Sequence, residues 1–212
     1  DVKLIVVACN TASSIALPQL ADEADIPVIG VLLPGARGAA AATRNNRVAV
    51  IGTTATINSG AYEKALRDIY NGLEIMSHPC PLFVSLAEEG WIDDDVAFMI
   101  ARRYLEPLTG FGADTLVLGC THYPLLKGVI SRVMGAGVLL VDSAEETAAD
   151  VKQTLASAGL LSGSDSGGEI YVYLSDIPYR FKEVGERFLG RPIENVEQVK
   201  GPGGEESEGR CR

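Results

Sequence analysis

The feature that most constrains the fold is a unit that recurs along the chain: a short, wholly apolar run, a polar turn, then residues with helical spacing. A strand covered on both faces reads as a continuous apolar run rather than an alternating one, so each run predicts a buried parallel strand. Leu4 to Val7, in "LIVVACNTASS", is the first. Thr11 to Ala24 behind it predicts a helix that Pro18 kinks or restarts. Pro27 to Leu32 predicts the next strand, and "RVAVIGT" at 47 to 53 a third. The third leads through "TATINSG" into a helix from about Gly60 to Tyr70, with Ser59 as its N-cap and Gly72 as its stop.

The pattern continues. "LEIMSHPCP" is a weaker strand, followed by a short helix carrying Glu88 and Glu89 and a longer one over about Asp94 to Leu108, where Val96, Ile100, Tyr104 and Leu108 fall four apart. Thr115 to Leu118 predicts a strand and Tyr123 to Met134 its helix, with Pro124 in the first turn, where a missing N–H costs nothing. "GVLLVDSAEETAADVKQTLASAG" predicts a strand and a helix opened by a Ser143–Glu146 capping box. A polar Gly/Ser stretch over 162–168 precedes a last strand, "EIYVYLS", and a helix over Ile177 to Leu189. The final "KGPGGEESEGRCR", 200–212, has no apolar anchor and predicts a disordered tail, which takes Cys211 out of the chemistry. Strands alternating with helices predict an α/β fold of mostly parallel sheets flanked by helices, with ligands bound beyond the carboxyl ends of the strands.

Charge narrows the function. With 28 acidic against 18 basic side chains and no basic cluster beyond pairs such as Arg102–Arg103, nucleic acid is excluded as a partner. No apolar run reaches the roughly 18 to 20 residues that cross a bilayer, so a membrane role is not expected. The four cysteines, at 9, 80, 120 and 211, form no CxxC pair and no regular spacing, which argues against a disulfide framework or a metal site and for free thiols in a reducing cytoplasm. The chain has no initiator Met and enters a strand almost at once, as a segment of something longer would.

Two stretches match each other. Leu4-Ile-Val-Val-Ala-Cys-Asn-Thr11 aligns without a gap on Thr115-Leu-Val-Leu-Gly-Cys-Thr-His122: an apolar run, a small residue, a cysteine, two polar side chains. The repeat suggests two related lobes, each presenting one strand-end thiol to a shared cleft. A lone cysteine in an apolar strand is usually core. A matched pair followed by hydrogen-bonding side chains points to chemistry, and helix N-termini behind both cysteines are expected to lower their pKa values. Two opposed thiols can act as nucleophile and resolving partner in redox chemistry. They can also act as acid and base on opposite faces of one carbon, which inverts a stereocentre.

"ACNTAS" and "GCTHYPLL" resemble the two signature segments of bacterial glutamate racemases, in the cofactor-independent aspartate/glutamate racemase superfamily. "IPVIGV" (26–31), "IGTTATINSGAY" (51–62), "CPLFVSLAEEGW" (80–91), "VDSAEETA" (141–148) and "RFLGRPI" (187–193) extend the resemblance over nearly everything but the tail. It implies interconversion of L- and D-glutamate without a cofactor, supplying D-glutamate for peptidoglycan in the cytoplasm and so serving cell-wall biogenesis and cell shape. Cys9 and Cys120 would be the acid/base pair. Asn10, Thr11, Thr53, Thr54, Thr56, Thr121 and His122 would bind substrate, with His122 and Glu88 also supporting catalysis and Glu89 the fallback for Glu88. Cys80 reads as structural, and His78 has no assigned partner. The oligomeric state varies in the family and leaves a homodimer open.

The resemblance also implies two pseudo-symmetric lobes: residues 1–33 plus 143–199, and residues 34–142. Family members begin with a strand ending in an Asp-Ser pair and later carry a Tyr-Gly pair, and neither has a counterpart here. The first lobe is therefore expected to be incomplete, leaving a sheet edge and apolar surface uncovered, and the segment alone to be weakly active or inactive. Action on aspartate, a hydantoin or maleate, and a non-catalytic amino-acid-binding remnant, remain as alternatives.

Overall fold

Each apolar run is a strand in the computed structural model, which describes residues 2–164, 167–175 and 178–199. The first residues form β1 (Ile5–Val7), α1 (Asn10–Ile15), α2 (Leu17–Glu23), β2 (Val28–Gly30) and α3 (Leu32–Ala42). The middle of the chain follows with β3 (Arg47–Gly52), α4 (Thr54–Asn58), α5 (Ala61–Ile69), β4 (Glu74–Pro79), α6 (Leu82–Glu89) and α7 (Asp95–Thr109). Then come β5 (Thr115–Gly119), a 3₁₀ turn (Tyr123–Leu126), α8 (Lys127–Met134), β6 (Leu139–Asp142) and α9 (Ser143–Ser157). These elements belong to the first of two compact units, residues 1–162. The second starts at 163 and holds β7 (Tyr171–Leu174), α10 (Pro178–Leu189) and β8 (Asn195–Gln198), with β7 and β8 paired in parallel. Among the described residues no helix is long and apolar enough to cross a membrane.

The first unit holds an all-parallel sheet ordered β4-β3-β5-β6, and a two-stranded parallel sheet of β1 and β2. β3 and β5 are central, and their apolar runs divide between two cores. Ala49, Ile51, Leu116 and Leu118 join a cluster with Phe83, Ala101, Leu105, Leu126 and Ile130 from the helices on one side. Val48, Val50 and Val117 join Leu32, Ala36, Tyr62 and Leu66 on the other. Past their first residues, Arg47 and Thr115, both faces of these strands are buried in apolar cores, hence the unbroken runs. Gly52 pairs with Gly119, so the residues that follow them, Thr53 and Cys120, emerge side by side at the carboxyl edge.

Several local expectations are corrected. β1 is half open, with Ile5 and Val6 each 40% exposed, because among the described residues it pairs only with β2. The N-cap of α5 is Gly60, not Ser59: its φ of +65° makes the turn out of α4, which Ser59 closes. The cap of α9 is Asp142, whose carboxylate accepts from Ala144 N–H, rather than Ser143. The helix expected from Tyr123 opens as the 3₁₀ turn and becomes α-helical only at Lys127. Helix α3 and strand β8 had no sequence counterpart. In α3, a Cβ at Gly35 would lie 3.1 Å from the Ser143 side chain and one at Gly38 2.8 Å from that of Glu146, so its packing against α9 demands residues that read as loop. The proposed tail, 200–212, lies outside the described residues.

Candidate active site

Two strand ends supply the thiols. Cys9 follows β1 and is the N-cap of α1, its sulfur accepting from Ala12 N–H at 3.5 Å. Cys120 follows β5 and is buried, whereas Cys9 is exposed. Burial pushes the Cys120 thiol up, against hydrogen bonds from the His122 and Tyr123 backbone N–H groups and the Thr121 side chain that pull it down. Charge on Cys9 pushes it further up, which places the two sulfurs within electrostatic reach of each other. The expected lowering of this thiol is therefore overturned: desolvation outweighs the donors at the start of a mere 3₁₀ turn.

Around Cys9 the polar groups interlock with the central sheet. Thr11 Oγ1 lies 2.9 Å from Thr53 Oγ1 and 3.0 Å from Thr56 Oγ1, which are 2.9 Å from each other. Three hydroxyls in a closed triangle can each redirect a proton toward an arriving anion without leaving the others unpaired. Thr54 begins α4, is exposed, and takes no part in the triangle. Asn10 is buried; its Oδ1 accepts from the Tyr62 hydroxyl at 2.6 Å, while its Nδ2 has no hydrogen-bond partner among the described residues. A buried donor without an acceptor is costly unless something completes it.

Around Cys120 the groups form a line. His122 Nδ1 lies 3.9 Å from Cys120 Sγ, and Nε2 lies 3.4 Å from Glu88 Oε1 at the end of α6. The carboxylate favours the tautomer with its proton on Nε2, which leaves Nδ1 as an acceptor for the thiol proton. Both partners of the ion pair face solvent in part, the His122 side chain being 26% and the Glu88 side chain 48% exposed. Exposed pairs of this kind contribute at most about 1 kcal/mol, so Glu88→Gln is expected to lower kcat by about fivefold or less. A loss near a thousandfold would instead make Glu88 an acid or base in its own right.

The structure brings together Cys9, Asn10, Thr11, Thr53 and Thr56 on one side of the carboxyl edge, and Cys120, Thr121, His122 and Glu88 on the other. Cys80 is buried beneath, its carbonyl accepting from the Tyr123 hydroxyl at 2.8 Å, and burial pushes its thiol far up. His78 packs against the Tyr104 ring with centroids 6.2 Å apart. Sequence reasoning missed Tyr62 and Ser143. Both are buried and lie close together, each within 3.2 Å of a Cβ at Gly35, and Tyr62 lies near enough to feel charge on Cys120. Tyr62 closes the quoted stretch "IGTTATINSGAY", which was its only signal.

The raised thiols have a consequence for stability. The folded chain holds the protons of Cys80 and Cys120 more tightly than the unfolded chain, so their contribution is fully present below the ordinary thiol pKa of about 8.5 and is lost as pH rises through the folded values. Urea denaturation under reducing conditions should show unfolding free energy declining above about pH 8.5, by up to roughly 1.4 kcal/mol per pH unit per thiol. Cys80→Ala should flatten that decline. An unchanged slope in the variant contradicts the assignment.

Residues 1–151 match the family model for the Asp/Glu/hydantoin racemases. The glutamate racemase of Geobacter metallireducens is 54% identical over 199 residues, covering 94% of this chain and 74% of that protein. The crystal structure of glutamate racemase isoform RacE1 from Bacillus anthracis matches with a TM-score of 0.89 at 39% identity. That of glutamate racemase from Francisella tularensis, in complex with D-glutamate, matches with a TM-score of 0.87 at 36% identity. Both comparisons cover 94% of this chain and 74% of the other.

Proposed function

The chain belongs to the Asp/Glu/hydantoin racemase family, in its glutamate racemase branch, and from that premise we propose that Cys9 and Cys120 interconvert L- and D-glutamate as a cofactor-independent acid/base pair. One thiolate removes the Cα proton from one face while the opposite thiol delivers a proton to the other; the reverse direction exchanges the roles. The observation that carries this is the coupling of the two sulfurs. The thiols end β1 and β5, and charge on Cys9 disfavours charge on Cys120, so the two do not become thiolates together and a thiol acid stays opposite whichever sulfur acts as the base. His122, with Glu88 behind it, takes up or returns the Cys120 proton and so helps make the thiolate that burial opposes.

The substrate carboxylates meet the donors left for them. Asn10 Nδ2, the Thr11–Thr53–Thr56 triangle and Thr121 hydrogen bond to glutamate, and these fixed dipoles stabilise charge developing on the carboxylate as the Cα proton leaves. The D-glutamate bound in the Francisella tularensis relative supports this substrate. Cys9 belongs to a lobe opening over 1–33 and Cys120 to a second over 34–142. The D-glutamate made supplies peptidoglycan in the cytoplasm.

The substrate assignment is tested by incubating the purified chain with L-glutamate, L-aspartate, a hydantoin or maleate and following optical rotation or product formation. Loss of rotation with glutamate alone is the expected result. Turnover of another of these in place of glutamate would overturn the assignment.

A further inference from the structure

We propose that Tyr62 is a positioning residue: its buried hydroxyl locks the Asn10 amide with the donor end turned to the substrate carboxylate. Tyr62 is 2% exposed and donates to Asn10 Oδ1 at 2.6 Å. Asn10 Oδ1 can only accept, so Tyr62 spends its one proton there, and the Ser143 side chain lies beside the same phenol, both coming within 3.2 Å of a Cβ at Gly35. The direction of the Tyr62–Asn10 bond is thereby fixed, with Oδ1 as the acceptor. Burial pushes the phenol far up, so the donor persists throughout the working pH range.

The site is built for this contact. A Cβ at Gly35 would come within 3.2 Å of the Tyr62 hydroxyl and one at Gly119 within 3.1 Å of its ring, so glycines make room for it on two elements. The ring thus lies against the residue before Cys120, and its hydroxyl holds the residue after Cys9. An amide has a donor end and an acceptor end of nearly the same shape. With Oδ1 held, Nδ2 is the end left without a partner among the described residues. Without Tyr62 the amide can turn over and present its oxygen to a carboxylate, which repels it.

Tyr62's role rests on Asn10 meeting glutamate, as proposed above, and the test separates the two. Tyr62→Phe, Asn10→Ala and the double variant are compared with wild type by calorimetric binding of D-glutamate, by kcat and KM for racemisation, and by thermal melting. Tyr62→Phe is expected to weaken binding and raise KM by about tenfold, the scale of one hydrogen bond to a charged group, with kcat changing less than about threefold. In the Asn10→Ala background it should add nothing, because the two act as one unit. A lower kcat at unchanged KM, or losses that multiply in the double variant, overturns the role of Tyr62 while leaving the substrate intact; a wild-type chain that does not bind glutamate overturns both.

Discussion

Cys9→Ala and Cys120→Ala should each lower kcat/KM for racemisation by roughly 10²- to 10⁴-fold, the range supplied by a positioned acid or base. The loss must be the same whichever enantiomer is the substrate. Enantiomers have equal free energies in water, so the ratio of kcat/KM in the two directions is held at one for any variant. A lesion at one thiol therefore cannot make net turnover one-directional, although it acts on only one face of the Cα carbon. What it changes is how the barrier divides: one variant lacks the base for L-glutamate and the acid for D-glutamate, and the other lacks the converse. Serine in place of either cysteine should rescue little, since a hydroxyl is a far weaker acid than a thiol and forms no useful anion near neutral pH. A single variant that keeps near-normal racemisation contradicts the two-thiol mechanism outright.

The second large effect is on stability. Phe83 on α6 is fully buried and meets Tyr104 and Tyr123 edge to face, with ring centroids 5.4 Å and 5.3 Å apart. The same Tyr123 begins the turn behind Cys120 and donates to the Cys80 carbonyl. Phe83→Ala removes the ring and leaves a cavity in the core that supports the Cys120 side of the site, at a cost of about 3–5 kcal/mol. For a domain of this size that is a fall in Tm on the order of 10 °C. Phe83→Leu, which fills most of the space, should cost clearly less. A loss below about 1 kcal/mol for the alanine variant would mean that the three rings do not pack as described.

How much of this was legible in the sequence depended on whether a residue's role is local. The central strands were legible because burial on both faces forces an unbroken apolar run, as in Val48 to Ile51 and Leu116 to Leu118. The two cysteines stood out because their surroundings match each other. Helix α3 was not legible: Gly35 and Gly38 are there because α9 approaches closely, and nothing within "LLPGARGAAAA" records the presence of α9. The caps at Gly60 and Asp142 were missed by one residue each, where a serine beside the true cap carried the better-known pattern. The roles of His122 and Glu88 came through family resemblance, because their 34-residue separation closes only when α6 packs beside the turn after β5. Tyr62 and Ser143 lie in stretches that carry the resemblance but were given no role, and Tyr62 meets Asn10 only when α5 packs near α1.

Because net turnover cannot separate the two thiols, proton exchange can. Each single-alanine variant, in molar excess over L- or D-glutamate in deuterated water so that slow turnover still registers, is followed by proton NMR at Cα. The thiol that remains can still remove and return the proton on its own face. Cys9→Ala should therefore exchange one enantiomer without inverting it, and Cys120→Ala the other. Exchange of the same enantiomer by both variants, or of both enantiomers by either, would contradict an acid and a base acting from opposite faces.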